Sequence, residues 1–324
     1  MKLVNLAFGA GCGAVSALLF AVISTASPLA FPLYLIAPLP ILIATLGFTQ
    51  QAGLAATFIA SIATALIFSP LAGLIHAVSI SLPSWFIGYL ALLARPTEGA
   101  DNDNHVEWYP LGRLLLWNIA LSAALTIAGV WMLGSDYASF VEAFEKLLNE
   151  LVIFEPTMFA GLVGADTASS ISTIANILAL IAAPISAAIS TAIAVLLLYL
   201  AARIVKASDR LPRPWPDIAA TAMPKVALPI FFVCLILVVF GTDFIGLFGR
   251  IGLASLLVGF CLQGLAVLHR ITRPLKSRRV MLVMIYSVFI LLPGWPILGF
   301  AALGIADFWF DFRSRFNKSP TTQS

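Results

Sequence analysis

Few side chains in this sequence could do chemistry, and most of those lie inside long apolar runs. His76, Ser79 and Pro83 follow one another at i, i+3 and i+7, which places them on one face of a helix. An ionisable group at membrane depth marks a candidate site; a histidine satisfied by a neighbouring helix is the alternative. Pro38 and Pro40 fall near the middle of another apolar run, after Pro32. A proline removes a helix hydrogen bond and crowds the preceding turn. Membrane transporters use such breaks to turn carbonyls and helix ends toward substrate. A single proline reads as a packing kink, and the Pro38/Pro40 pair reads as more. Asn118 and Gln263 are uncharged polar groups at or inside apolar runs. They complete the substrate-binding candidates, with interhelical hydrogen bonding as the alternative.

A second set reads as interface. Asp307 and Asp311 share a helix face, and Asp311 can pair with Arg315 at i+4. Phe308, Trp309, Phe310, Phe312 and Phe316 surround them, as in the aromatic belts at membrane surfaces. Gly9 and Gly13, with Ala7 and Gly11, form small-xxx-small pairs that let helices approach closely. They fit packing within the chain or docking of a separate membrane subunit. No catalytic constellation, Walker-type glycine loop or metal-ligand spacing appears. Cys12, Cys234 and Cys261 lie singly in apolar runs. The expectation is a non-enzymatic protein without metal or cofactor.

The elements that position these residues follow from composition. Of 324 residues, 61% are hydrophobic and 10% charged, with mean hydropathy +1.02. Soluble domains carry about 25% charged residues, so an ordinary cytosolic enzyme, a disordered chain and a nucleic-acid-binding module are excluded. Apolar runs of about 17–25 residues cross a bilayer as helices. The sequence predicts an all-α, polytopic transmembrane helix bundle, residues 1–324 forming a single membrane domain. Spans fall at 4–25, 30–48, 52–68, 71–94, 111–134, 176–203 (the apolar core of a longer helix), 226–246 and 250–269. The first four make an N-terminal part, 1–94, and the spans from the sixth on a C-terminal part, 171–312. The run 280–312 is interrupted by Leu292-Pro293-Gly294-Trp295-Pro296.

Basic residues concentrate on the cytoplasmic side of membrane proteins. With Lys2 inside, the loops after the fourth, sixth and eighth spans are inside too. They hold Arg95 and Arg113; Arg203, Lys206, Arg210, Arg213 and Lys225; and Arg270, Arg273, Lys276, Arg278 and Arg279. The outside connections hold Lys146 and Arg250. Arg313, Arg315 and Lys318 reach the inside only if 280–312 crosses twice. The expectation is therefore a short C-terminal helical hairpin, nine to ten crossings, and both termini, including the tail 313–324, in the cytoplasm of a bacterial inner membrane.

Two connections stand out. Over 135–170, Tyr137, Phe140, Val141, Phe144, Leu147, Leu148 and Leu151 recur at helical spacing, opposite Glu142, Glu145, Lys146 and Glu150. This predicts one outer amphipathic helix. The polar stretch 95–110 predicts a cytoplasmic linker without chemistry.

Three short motifs carry a family resemblance: Ala37-Pro38-Leu39-Pro40, Gln263-Gly264-Leu265-Ala266 ahead of His269, and Leu303-Gly304-Ile305-Ala306-Asp307 running to Arg313. On these the chain resembles the YybS-like bacterial membrane proteins of unknown function. Those are distantly similar to the substrate-binding subunits of energy-coupling-factor transporters, whose first helix has a small-residue face that Ala7 to Ala14 would match. The resemblance implies a small-molecule transport component, its ligand unknown, working in the lipid bilayer beside a membrane partner subunit. The alternative is a non-transporting cell-envelope scaffold that binds membrane or cytoplasmic partners.

Overall fold

The computed structural model describes residues 3–25, 27–96, 106–154, 167–292 and 294–312. Helix α1 (Leu3–Ala21) ends in a 3-10 turn, Val22–Thr25. The second apolar run is two helices, α2 (Ala30–Leu35) and α3 (Pro38–Gly47), separated at Ile36-Ala37. Pro38 opens α3, the position where its missing N–H costs nothing. Helix α4 (Gln50–Ile67) starts at Thr49, whose hydroxyl accepts from the Ala52 N–H at 3.1 Å. Ser69 caps α5 (Pro70–His76) in the same way through Ala72. Capping hydroxyls satisfy end groups that a bilayer leaves without water. From α5 the chain passes through a π-helical turn, Ala77–Ser81, into α6 (Leu82–Ala91).

Helices α7 (Leu111–Leu133) and α8 (Tyr137–Phe154) precede α9 (Thr167–Ala207), which keeps Pro184 inside it. Then come α10 (Ala227–Phe240), α11 (Asp243–Ile271), α12 (Arg278–Leu291) and α13 (Trp295–Phe310). Among the described residues, seven segments are long and apolar enough to cross a membrane: 3–25, 30–47, 50–67, 70–91, 111–133, 169–207 and 243–271. Helices α10 and α13 are shorter and apolar. Side chains such as Leu66, Phe240 and Leu291 are more than 70% exposed. In water such a surface is an association patch; in a bilayer it is the lipid-facing side. The protein is an all-α polytopic membrane bundle.

Two sequence expectations are corrected. The seventh and eighth spans divide at Gly241-Thr242, not at 246–250, so Asp243 and Arg250 both lie in α11. The sixth span, 176–203, is the apolar core of a longer helix, as the sequence predicts, and that helix begins at Thr167 in a Ser/Thr-rich stretch. The stretch 95–110 is not a plain linker. Ala94–Pro96 pairs antiparallel with Val106–Trp108, and Arg95 binds Glu107 at 2.5 Å across the ladder. The residues between those strands lie outside the described set. The expected C-terminal hairpin is present as α12 and α13, joined through Gly294 at φ +94°.

The chain packs as two compact units, Met1–Asn118 with Ala192–Ala222, and Ile119–Thr191 with Met223–Ser324. In the first, α1 lies on α4, and a Cβ on Gly9 or Gly13 would run into the carbonyl of Ala52 or Ala56. Helix α3 packs beside α1, α4 and α6, burying Ile41, Ala44 and Thr45. In the second unit, α11 packs on α10 and α13. Amphipathic α8 buries Phe140, Val141 and Leu148 in a cluster with Leu247 and Ile251 of α11 and with Ala175, Ala179, Ala183 and Ala187, a stripe along α9.

Candidate functional site

The polar centre of the first unit is His76, which is 0% exposed. Its Nδ1 lies 2.8 Å from the Ser81 hydroxyl and its Nε2 lies 3.4 Å from the Ser16 hydroxyl. Ser16 donates to the carbonyl of Ala37 at 2.7 Å, at the break between α2 and α3. Phe20 meets the imidazole edge-on, centroids 5.0 Å apart. Thr57 on α4 donates to the Ser81 carbonyl at 3.4 Å and to the Gly53 carbonyl at 3.0 Å. One histidine thus joins α1, the proline-broken second span and the π-turned fourth span.

The hydroxyls fix the imidazole tautomer. A serine has one hydrogen to donate, and Ser16 gives it to Ala37, since a carbonyl only accepts. Toward His76, Ser16 can therefore only accept, so Nε2 carries the proton. Nδ1 is then an acceptor, and Ser81 is its donor. The imidazole is neutral in this arrangement, as a charge at membrane depth is expensive.

The sequence candidates divide on this geometry. His76 and the Pro38 break are brought together through Ser16 and Ala37. Pro40 is buried in α3. Ser79 is exposed and donates to the Ile75 carbonyl at 2.6 Å. It faces away from His76 because the π turn adds a residue to that turn of helix. Ser81, five residues from His76, occupies the place that α-helical spacing gave to Ser79. Asn118 is buried in α7, 4% exposed, and no described contact joins it to His76. Ser16 and Ser81, the partners of His76, were not singled out by sequence reasoning. Ser16 could have been found as the hydroxyl one turn beyond Cys12 and Gly13; the π turn leaves no comparable sign.

A second polar cluster occupies the other unit. Gln263, 2% exposed, accepts from the Met223 N–H at 2.9 Å and donates to the Gly304 carbonyl at 3.0 Å and Asp307 Oδ2 at 3.4 Å. It ties the segment before α10 to α11 and α13. The helices can come this close because Gly264 and Gly304 meet: a Cβ on either would collide with the Phe300 or Phe260 carbonyl. Two of the three resemblance motifs are therefore one contact.

The interface candidates change character. The approach that Gly9 and Gly13 allow is made to α4 of the same chain, while Gly11 faces open space. Asp307 is buried and Asp311 exposed, so they do not share a face. Helix α13 ends at Phe310, and Asp311 turns into the left-handed region at φ 41°. Arg315 lies outside the described residues.

The basic stretch after α9 is structured by aromatic rings. Lys206 and Arg203 stand over Trp215 at 4.8 and 5.7 Å, and Arg210 stands over Phe48 at 4.7 Å. Arg213 donates to the Ala91 carbonyl at 3.1 Å and lies 6.0 Å from Trp108. Burial there lowers its proton affinity from the usual arginine value. At the start of α8, the Ser139 N–H donates to Asp136 Oδ1 at 2.8 Å. That bond, reinforced by the Ser139 hydroxyl, holds the Asp136 carboxyl below the usual range.

Comparison with known proteins places these clusters in a family. The model of the family described as Predicted membrane protein (DUF2232) matches residues 14–308, and the chain belongs to that family. No curated protein and no solved structure matches it.

Proposed function

We propose that this member of a membrane-protein family is a non-enzymatic, small-molecule transport component of a bacterial inner membrane, with both termini cytoplasmic. The observation that carries the reading is His76: a fully buried imidazole, hydrogen-bonded on both nitrogens, where two interrupted spans meet. Intramembrane ionisable groups and broken helices mark substrate and ion pathways in transporters. Pro38, Pro40, His76, Ser16 and Ser81 form the moving or binding element, and Gln263 and Asp307 hold the other unit's helices. Similarity to energy-coupling-factor substrate subunits would add a partner subunit in the membrane.

A second reading is the envelope scaffold. It draws on the inward hydrogen bonding of the two clusters, since Ser16 donates to the Ala37 carbonyl and Gln263 to the Gly304 carbonyl and Asp307 of this chain.

The test is a ligand-induced shift in the apparent Tm of purified protein across a metabolite and vitamin panel, run with Pro38→Ala/Pro40→Ala and His76→Leu. Transport predicts a ligand whose shift is lost in the variants. No shift from any compound, together with a stable set of crosslinked partners, establishes the scaffold instead.

A further inference from the structure

Between α11 and α12 the chain runs His269, Arg270, Ile271, Thr272, Arg273, Pro274, Leu275, Lys276, Ser277, Arg278, Arg279, with five cations and no carboxylate. This turn joins two apolar helices and so lies where hydrocarbon gives way to headgroups. It is built as two successive tight turns. The Leu275 N–H donates to the Thr272 carbonyl at 3.1 Å, and the Arg278 N–H to the Leu275 carbonyl at 3.2 Å. His269, in the last turn of α11, is tied to α12 by its Nε2 and the hydroxyl of Tyr286 in the middle of that helix, 2.7 Å apart. Thr272 is buried beneath the turn at 2% exposure.

The cations are not equivalent. Arg270 and Arg273 are engaged within the protein. Lys276 and Arg279 are exposed, and neither is in an ion pair among the described residues. Arg278 is half-buried, and its Nε is cut off from solvent with no hydrogen-bond acceptor among the described residues. A guanidinium N–H is a strong donor, and leaving it buried without an acceptor is costly. The first turn of α12 has no side-chain cap at Ser277. A pre-held concentration of positive charge with a buried, unanswered donor is a receptor for an oxyanion with several acceptor atoms.

We propose that the α11–α12 turn is a binding site for the phosphate of an anionic phospholipid headgroup, with Arg278 the directing donor and Lys276 and Arg279 the flanking charges. The bilayer presents phosphates at this depth and in this orientation, and each basic residue near an anionic surface adds attraction. The site anchors the head of the C-terminal hairpin to the headgroup layer.

The experiment uses the full-length protein purified in uncharged detergent. Fluorescent phosphatidylglycerol and phosphatidylcholine are bound separately, with and without millimolar inorganic phosphate. The wild type is expected to retain phosphatidylglycerol at least tenfold more tightly. Arg278→Gln, Arg279→Gln and Lys276→Gln each weaken it about fivefold, and Arg278→Lys weakens it less than Arg278→Gln. Equal retention of the two lipids by the wild type overturns the proposal without any variant. Substitutions that leave the preference intact also overturn it. Displacement by inorganic phosphate at concentrations equal to the lipid assigns the site to free phosphate and overturns the lipid assignment.

Discussion

Gly264 and Gly304 pack backbone to backbone, each filling the space a side chain on the other's helix would need. Beside them Gln263 reaches across to the Gly304 carbonyl at 3.0 Å. In a bilayer, where lipid tails are as apolar as leucine, close approach of this kind is a main source of helix association. The polar bond and the glycine contact therefore depend on each other.

Gly304→Ala should destabilise the protein by about 1–3 kcal/mol, the usual cost of overpacking. Gly299→Ala is the control, because Gly299 faces open space on the same helix. The apparent Tm in detergent should fall for the first and hold for the second. Equal effects would mean that the α11–α13 contact does not limit stability.

The same logic applies to α1. Gly13→Ala meets the Ala56 carbonyl, and Gly11→Ala meets nothing. Only Gly13→Ala should lower the Tm. If Gly11→Ala alone lowered a cellular readout while leaving the Tm unchanged, its open face would be identified as a contact with another molecule.

Replacing Gln263 by Leu leaves the Met223 N–H without its acceptor and removes the donor to the Gly304 carbonyl and Asp307. Each such loss costs about 1–3 kcal/mol. Gln263→Leu should therefore be worse than Gly304→Ala, and the pair should be non-additive because the residues touch. Additivity in a double-mutant thermal series would show that the two contacts are independent.

His76→Gln keeps an amide donor for Ser16 and should retain more stability than His76→Leu, which leaves the Ser16 and Ser81 hydroxyls facing a hydrocarbon chain. A gap of about 1 kcal/mol or more is expected. Leu performing as well as Gln would mean that the hydrogen bonds of His76 contribute nothing.

Asp136 sets a pH response at the start of α8. Its carboxyl is held below the usual carboxylate range, first by the Ser139 N–H. A depressed folded-state pKa means the stabilisation is complete above the ordinary value and fades as pH falls through the depressed one. Exchange of the Ser139 amide should therefore accelerate on acidification below about pH 4, and Asp136→Asn should abolish that dependence. A wild-type exchange profile with no acid step beyond intrinsic chemistry would remove the cap.

The spans were legible because apolar runs and helix length are the same signal in a bilayer. The close contacts at Gly9 and Gly13 were legible for a similar reason, since four-residue spacing survives in any straight helix. Ser79 was the wrong hydroxyl for His76 because a π turn shifts the phase of everything after it, and nothing in Ala77-Val78-Ser79-Ile80-Ser81 announces one. The ladder through Arg95 and Glu107 was hidden by its length, three residues a side in a polar stretch. The break at Gly241-Thr242 was missed because Arg250 looked like the stronger boundary, although a charge near a helix start is tolerated there. Gln263 and Asp307 stand 44 residues apart, and their pairing depends on how two helices cross, which neither helix encodes alone.

The single hydrogen of Ser16 has a wider implication. Because it is committed to Ala37, every bond from Ser16 through the imidazole to Ser81 points the same way, and none can reverse singly. A proton arriving at Nδ1 would turn the Ser81 hydroxyl from donor to acceptor. A loss of the Ala37 contact would let Ser16 turn round and hand the imidazole its other tautomer. In the arrangement seen, the cluster is a polarised chain of hydrogen bonds that runs from the π turn in the fourth span to the proline break in the second.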